Sequence, residues 1–462
     1  MKLSDVNFGN LPKNFIWGAA TSSYQIEGGE LSGNRGRCIW DDLCERPGAI
    51  KDGTHGGIGI DHLNRVKEDI QLMSKINLDS YRFSFSWPRV INVSTGKINS
   101  QGLDFYDRLV DGLLENNIIP NATLYHWDLP SELQAKGGWT NPETVEHFER
   151  YAHELATRFG DRIKMWATIN EPWCVTYLGN LTGEHAPGIR DLGSTVKVAH
   201  QITRAHAVAA NAIKAAAPDT LVGPVLNLAN QIVIGEGDEQ FNRELLLVDQ
   251  MTNGWWLGGM LDGKYPKELV SHFAELTGIE IDENEIPDTK NGRDWVGINY
   301  YAAQVFKPGG KGISVFPGTK VIDGAPWGTE RTDMDWVWTP NGLGETLNMV
   351  NQKYPNMPLY VTENGACYNN EVDNDGRVRD SKREEYIARY LQSAVNTIDN
   401  GVNLKGYYVW SLLDNFEWAW GFEMRFGIIH VNFDNFERTL KDSAFAFRDL
   451  IERFRKRNAK SA

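Results

Sequence analysis

The sequence predicts an α/β fold, a single (β/α)₈ TIM barrel with extended βα loops over residues 1–462, and three observations carry that prediction. Short β-rich runs alternate with amphipathic helical runs, the pattern of βα units around a parallel sheet. Polar residues gather at the C-terminal ends of the β-rich runs, where such barrels build their sites. No linker, low-complexity segment or composition shift divides the 462 residues, a length that suggests several domains in other fold classes but suits a barrel with insertions.

The first strand is Phe15–Ala20, running on to Tyr24, Gln25 and Gly28, and a loop follows through Gly57. A helix over Asp61–Asn77 sets Leu63, Val66, Ile70, Met73 and Ile76 on one face. Strand two is Ser80–Trp87, stopped by Pro88, and its helix is Gln101–Asn116. Strand three is Ile118–Trp127; its helix begins at Asn141-Pro142, a cap residue followed by proline in the first turn, and ends near Phe159. Strand four is the run from Met165 that ends on Asn170 and Glu171, with Pro172 as its stop, followed by an Ala-rich helix over Ser194–Ala217. Strand five is Thr220–Leu228, with a helical region over Phe241–Trp256; strand six is Trp295–Tyr301. A long irregular section, residues 307–340, is rich in Gly, Pro, Asp and Trp, and loops of that length are usually functional. Strand seven is Leu359–Glu363 with a helix over Ser381–Asn400, strand eight is Lys405–Trp410, and a last helix spans Ser443–Arg455.

Net charge is −14, which argues against nucleic acid and anionic membrane surfaces as partners. No apolar run is long enough to cross a bilayer, and Met1-Lys2-Leu3-Ser4-Asp5 lacks an apolar leader core, so a cytoplasmic location is expected. Cys38, Cys44, Cys174 and Cys367 show no CxxC spacing; they argue against a disulfide framework and leave only a Cys38–Cys44 loop bridge open. No His/Cys/Asp/Glu set has metal-ligand spacing, and no cofactor is expected. Sixteen tryptophans exceed what packing usually needs; flat rings also serve as sugar platforms.

Chemistry centres on two strand ends of similar design. Trp166-Ala-Thr-Ile-Asn-Glu-Pro-Trp173 and Leu359-Tyr-Val-Thr-Glu-Asn-Gly365 each run from an apolar strand into a carboxylate and a chain breaker. One such glutamate is most often a solvated loop residue or a helix cap. Two of them, brought together across a closed sheet, form the carboxylate pair that acetal hydrolysis needs: one neutral acid for the leaving oxygen, one ionised group for the oxocarbenium-like carbon. Asn170 precedes Glu171 at its strand end, Gln25, His126, Asn299, Tyr301 and Glu417 fall at or just beyond other strand ends, and Arg82 lies inside an otherwise apolar strand.

With these motifs the chain resembles glycoside hydrolase family 1, the β-glucosidase family, over nearly its whole length. Thr168-Ile-Asn-Glu-Pro172 resembles the family's acid/base motif and Thr362-Glu-Asn-Gly365 its nucleophile motif, which implies Glu171 as acid/base, Glu363 as nucleophile and retention of configuration. The N-terminal run Phe15–Glu27 and the run Trp410–Trp418 resemble two further signatures. They imply a substrate-binding set of Gln25, His126, Trp127, Asn170, Trp410, Glu417, Trp418 and Phe426, with Glu417 on the 4- and 6-hydroxyls. Arg82, Tyr301 and Asn299 are expected to support Glu363, the first two lowering its pKa, while burial and the Glu363 charge raise that of Glu171. Trp173 and Trp336 are the aglycone candidates; Trp336 stands in Asp333-Met-Asp-Trp-Val337, where the family usually has Gly before the Trp and Glu after it. The implied activity is a retaining, exo-acting β-glucosidase, with some β-galactosidase or β-fucosidase activity, on a β-glucoside or short β-gluco-oligosaccharide. A 6-phospho-β-glycosidase and an inactive sugar-binding protein are the alternatives, and self-association is left open.

Overall fold

In a computed structural model, which describes residues 1–29, 35–308, 319–321 and 330–460, the eight expected strands close on themselves: β1 (Ile16–Ala20), β2 (Ser80–Ser84), β3 (Ile119–Tyr125), β4 (Met165–Asn170), β5 (Leu221–Leu226), β6 (Val296–Asn299), β7 (Leu359–Asn364) and β8 (Leu404–Trp410). Each strand pairs in parallel with its neighbours in the chain, and β1 closes the ring on β8, from Ile16 opposite Gly406 to Ala20 opposite Trp410. Helices His62–Lys75, Ser100–Glu115, Glu143–Phe159, Leu192–Ala216, Pro340–Lys353, Ser381–Asn396 and Asp442–Lys460 lie between or after the strands. The strands β2, β4, β6 and β7 are buried along their full length, as expected where one face meets helices and the other the barrel interior.

Packing explains the closure. Trp17 on β1 is fully buried and meets Phe8, Phe15, Phe447 and Phe454 edge-on, tying the N-terminal segment to the last helix. Such aromatic pairs contribute about 0.5–1.5 kcal/mol each beyond their buried area. Within the barrel, Met165, Ala167, Val225, Trp295, Tyr360 and Tyr408 fill the interior as one cluster.

Several boundaries differ from the sequence reading. Strand two ends at Ser84, because Trp87–Val90 forms a helical turn with Pro88 in its first positions, where proline is tolerated. Strand six is shorter, ending at Asn299. The helix expected from Asn141-Pro142 starts at Glu143, and Asn141 caps it by accepting from the Glu143 N–H. The helical region after β5 is Glu239–Asp249 and Trp255–Asp262 joined by a widened turn over Gln250–Gly254. The section expected to be irregular from residue 307 contains strand pairing: Gln304–Pro308 lies between Gln231–Val233 and Thr319–Val321. Residues 309–318 and 322–329 of that section lie outside the described residues. All four cysteines are free, so Cys38 and Cys44 form no bridge.

Candidate active site

Strand irregularities aim the two carboxylates. On β4, Thr168 faces the helix layer and bonds His206 at 2.7 Å. Strict alternation would send Asn170 the same way. The β4–β5 register shifts between Ala167 and Asn170, and Asn170 instead accepts from Arg82 Nη2 at 2.7 Å inside the barrel. On β7 the β6 pairing shifts between Val361 and Glu363. The adjacent Thr362 and Glu363 both bond inside: Thr362 donates to Asn299 Oδ1 at 2.7 Å, and Glu363 accepts from Arg82 Nη1 at 2.7 Å. Such irregularities recur beside active sites because they re-aim side chains. Glu171 follows with φ of 47°, a left-handed backbone that a non-glycine residue adopts only when its surroundings hold it there.

Glu363 therefore sits between two donors, the Arg82 guanidinium and the Tyr301 hydroxyl at 2.8 Å. Both favour its ionised form. Burial pushes the Glu363 carboxyl the other way and wins, so its pKa lies above the ordinary carboxylate value, contrary to the lowering expected from its neighbours. The reason is that Glu363 is almost completely buried, and its lost hydration outweighs what Arg82, Tyr301 and Asn299 return. Burial and the Glu363 charge also push the Tyr301 phenol up, which keeps it a donor.

Glu171 has different partners. Its Oε1 accepts from Asn299 Nδ2 at 2.7 Å and its Oε2 from the Cys174 thiol at 3.1 Å. Asn299 Nδ2 also donates to Asn170 Oδ1 at 3.1 Å, so one amide spans both strand ends. Burial, with the Glu363 charge second, pushes Glu171 up to about 7, as the sequence reading expected. Two carboxyls with different partners, one holding the only guanidinium in their hydrogen-bonded network among the described residues, are equipped to divide acid and nucleophile roles.

These groups open on a cavity of about 490 Å³. His126, Trp127, Glu171, Trp173, Asn299, Tyr301, Trp336, Glu363, Trp410, Glu417, Trp418 and Phe426 all line it. The His126 ring is stacked with both Trp410 and Trp418, at interplanar angles of 21° and 17°. Its tautomer follows from the network. Arg82 can only donate, so Asn170 presents Oδ1 to it and Nδ2 to His126 Nε2 at 3.1 Å. Burial, then the Arg82 charge, lowers the His126 pKa well below its usual value, leaving a neutral ring with its hydrogen on Nδ1. Trp336 packs with Tyr301 and Phe426, in the same apolar cluster as Trp410. Burial, then the Glu363 and Glu171 charges, push the Glu417 carboxyl up to about 8.

The family model for glycosyl hydrolase family 1 matches residues 8–456. The chain belongs to that family. It is 40% identical over 444 residues to Beta-glucosidase A of Acetivibrio thermocellus, covering 96% of this chain and 98% of the relative. It is 38% identical to a bifunctional beta-D-glucosidase/beta-D-fucosidase of Bifidobacterium breve, covering 95% and 98%. The Thermotoga maritima beta-glucosidase solved in complex with glucoimidazole superposes with a TM-score of 0.89 at 38% identity, covering 96% of this chain and 99% of that one. As a family 1 protein the chain is a glycoside hydrolase on a (β/α)₈ barrel.

Three expected site residues of this family 1 chain stand behind the cavity wall. Gln25 is fully buried; its amide donates to Asn415 Oδ1 and the Phe416 carbonyl, and its Oε1 accepts from Ser22. Arg82 and Asn170 are likewise fully buried and act on the cavity through Glu363 and His126. Sequence reasoning missed Cys174, Glu184, His185, Met334 and Trp420, all on the cavity wall. Cys174, three residues beyond Glu171, was the legible one: a side chain one helical turn on can reach back. Among the described residues no helix is long and apolar enough to cross a membrane, and no group of His, Cys, Asp or Glu is placed to hold a metal ion.

Proposed function

We propose that this chain is a retaining, exo-acting β-glucosidase in which Glu171 is the general acid/base and Glu363 the nucleophile, the whole chain acting as one catalytic domain. The observation that carries the reading is the buried pair of carboxyls bonded by different donors on the wall of one cavity. In the first step Glu363 attacks the anomeric carbon while Glu171 protonates the glycosidic oxygen. In the second Glu171 takes a proton from water, which displaces Glu363. Tyr301 and Arg82 hold Glu363 in its attacking orientation, and Asn299 does the same for Glu171. The neutral His126 offers Nδ1–H to a ring hydroxyl, and Trp410 and Trp418 form the wall against which the sugar lies. Trp173 and Trp336 are proposed to meet the aglycone, and Gln25 to reach the sugar after it exchanges its present bond to Asn415.

A cavity lined by the carboxyls of Glu171, Glu184, Glu363 and Glu417 and, among the described residues, by no lysine or arginine favours an unphosphorylated sugar over its 6-phosphate. One relative named for both glucosidase and fucosidase activity supports some tolerance at the 4- and 6-positions. A cytoplasmic site of action fits the expectation from the sequence. A screen of nitrophenyl β-glycosides, with proton NMR of the first-formed sugar, tests the reading. The β-glucoside should rank first or share first place with the β-fucoside, and its first product should be the β-anomer. First release of the α-anomer would rule out retention.

A further inference from the structure

Cys174 stands at the start of the helical stretch that follows Glu171, its own N–H bonded to the Glu171 carbonyl at 3.0 Å. Its sulfur receives Asn227 Nδ2–H at 3.5 Å from the end of β5 and gives its single hydrogen to Glu171 Oε2 at 3.1 Å. The other oxygen is held differently. Because Arg82 can only donate, Asn170 must present its oxygen to it, and Asn299 must in turn present its amide nitrogen to Asn170 and to Glu171 Oε1. The Thr362 hydroxyl, donating to Asn299 Oδ1, locks that orientation. Oε1 thus always faces an N–H, and a carbonyl oxygen is the better acceptor there than a hydroxyl. The carboxylic proton consequently belongs on Oε2, beside the thiol.

Resting on the assignment of Glu171 as acid/base, we propose that Cys174 is a positioning residue that marks Oε2 as the proton-delivering oxygen, its S–H turning toward that oxygen when Glu171 is ionised and away when it is protonated. A thiol suits this task. It is a weak donor, so it stabilises the carboxylate less than an N–H or hydroxyl would, and it rotates about one bond without leaving a strong donor unpaired. Its neighbourhood keeps it a thiol: burial and the Glu171 charge push its pKa up. The other charges facing Glu171 are Glu363 on β7 and Arg82 on β2, with Glu417 and Tyr301 also on the cavity wall.

The test is the pH profile of kcat/KM on cellobiose for the wild type, Cys174→Ser, Cys174→Ala and Glu171→Gln. A hydroxyl is a stronger donor to the carboxylate, so Cys174→Ser should move the basic limb down by about 0.5–1 pH unit, and Cys174→Ala, lacking a donor, should move it up by about 0.5 unit. Equal losses of rate in both variants with the limb in place would mean a packing role only, and would overturn the inference. Glu171→Gln separates the two levels. If it retains the basic limb and most of the activity, Glu171 is not the acid and the functional reading itself fails. If it loses both while the Cys174 variants keep the wild-type limb, only the inference fails. Should either Cys174 variant not fold, the infrared S–H stretch of the wild-type protein gives the answer: the band should shift as Glu171 titrates, and a band insensitive to pH would overturn the proposal.

Discussion

Arg82 bonds Glu363 through Nη1 and Asn170 through Nη2, each at 2.7 Å, so one buried guanidinium joins the ends of β4 and β7. Its replacement by lysine keeps a charge but cannot reach both partners with a planar fork. Arg82→Lys should fold, with a lowered Tm, and lose at least about 100-fold in kcat/KM on nitrophenyl β-glucoside, equivalent to about 2.7 kcal/mol of transition-state stabilisation. A loss under about threefold would show that the fork does not orient Glu363. Steady-state kinetics with a thermal melt checks both halves.

Removing the proposed nucleophile is the sharpest chemical test. Glu363→Gly should nearly abolish hydrolysis of β-glucosides. With α-glucosyl fluoride and a sugar acceptor the same variant should form β-linked products, since the fluoride stands in for the missing glycosyl-enzyme intermediate and the vacated space admits it. Product analysis by chromatography and NMR is the measurement, and near-normal hydrolysis would remove Glu363 from its role.

The pH dependence has two opposite signs. Glu171 acts while protonated, and its pKa is pushed up to about 7, so activity on cellobiose should fall as pH rises through about 7. Glu363 acts while ionised, so activity should rise as pH climbs through its value, which burial has raised above the ordinary carboxylate range. The result is a bell in kcat/KM. Dinitrophenyl β-glucoside, whose leaving group needs no proton, should lose the alkaline limb; retention of that limb would assign it to a group other than Glu171.

Glu417 links the cavity to stability. Its ordinary value is 4.5 and in the folded protein it is pushed up to about 8. Between those values the folded chain keeps a proton that the unfolded chain releases, so its contribution is full below about pH 4.5 and is lost as pH rises through about 8. Glu417→Gln should remove this slope. Urea titrations should find the variant more stable than wild type by about 1–3 kcal/mol at pH 9 and similar to it at pH 4. An equal difference at both pH values would mean that Glu417 carries no buried charge.

The same carboxyl governs phosphate discrimination. Among the described residues no lysine or arginine lines the cavity, and Arg425, the cation nearest to Glu417 in sequence, is committed to Asp414 at 3.1 Å and to the Val431 carbonyl. A 6-phosphate would meet no counter-charge, and a Glu417 charge that grows above about pH 8. The ratio of kcat/KM for nitrophenyl β-glucoside over its 6-phosphate should be at least about tenfold and should widen from pH 6 to pH 9. A flat or inverted ratio would place Glu417 away from the 6-position.

By itself the sequence determined the barrel, because eight alternations of period 2 and period 3.6 leave few other ways to bury every strand on both faces. It also determined which strands end in carboxylates, since Pro172 and Gly365 stop their strands directly beyond Asn170-Glu171 and Glu363-Asn364. Trp127, Trp336 and Phe426 were legible only through the family pattern, for a lone aromatic reads equally as core. The tertiary structure decided what periodicity cannot express. Thr362 and Glu363 are adjacent, and alternation would point one of them out of the barrel; the register shift against β6 turns both inward. The pKa of Glu363 likewise followed from burial rather than from the presence of Arg82, because dehydration depends on everything packed around the pair. The three-residue spacing of Cys174 from Glu171 is a local signal, but the Asn227 amide that meets its sulfur from beyond β5 is a contact between segments that no local pattern encodes.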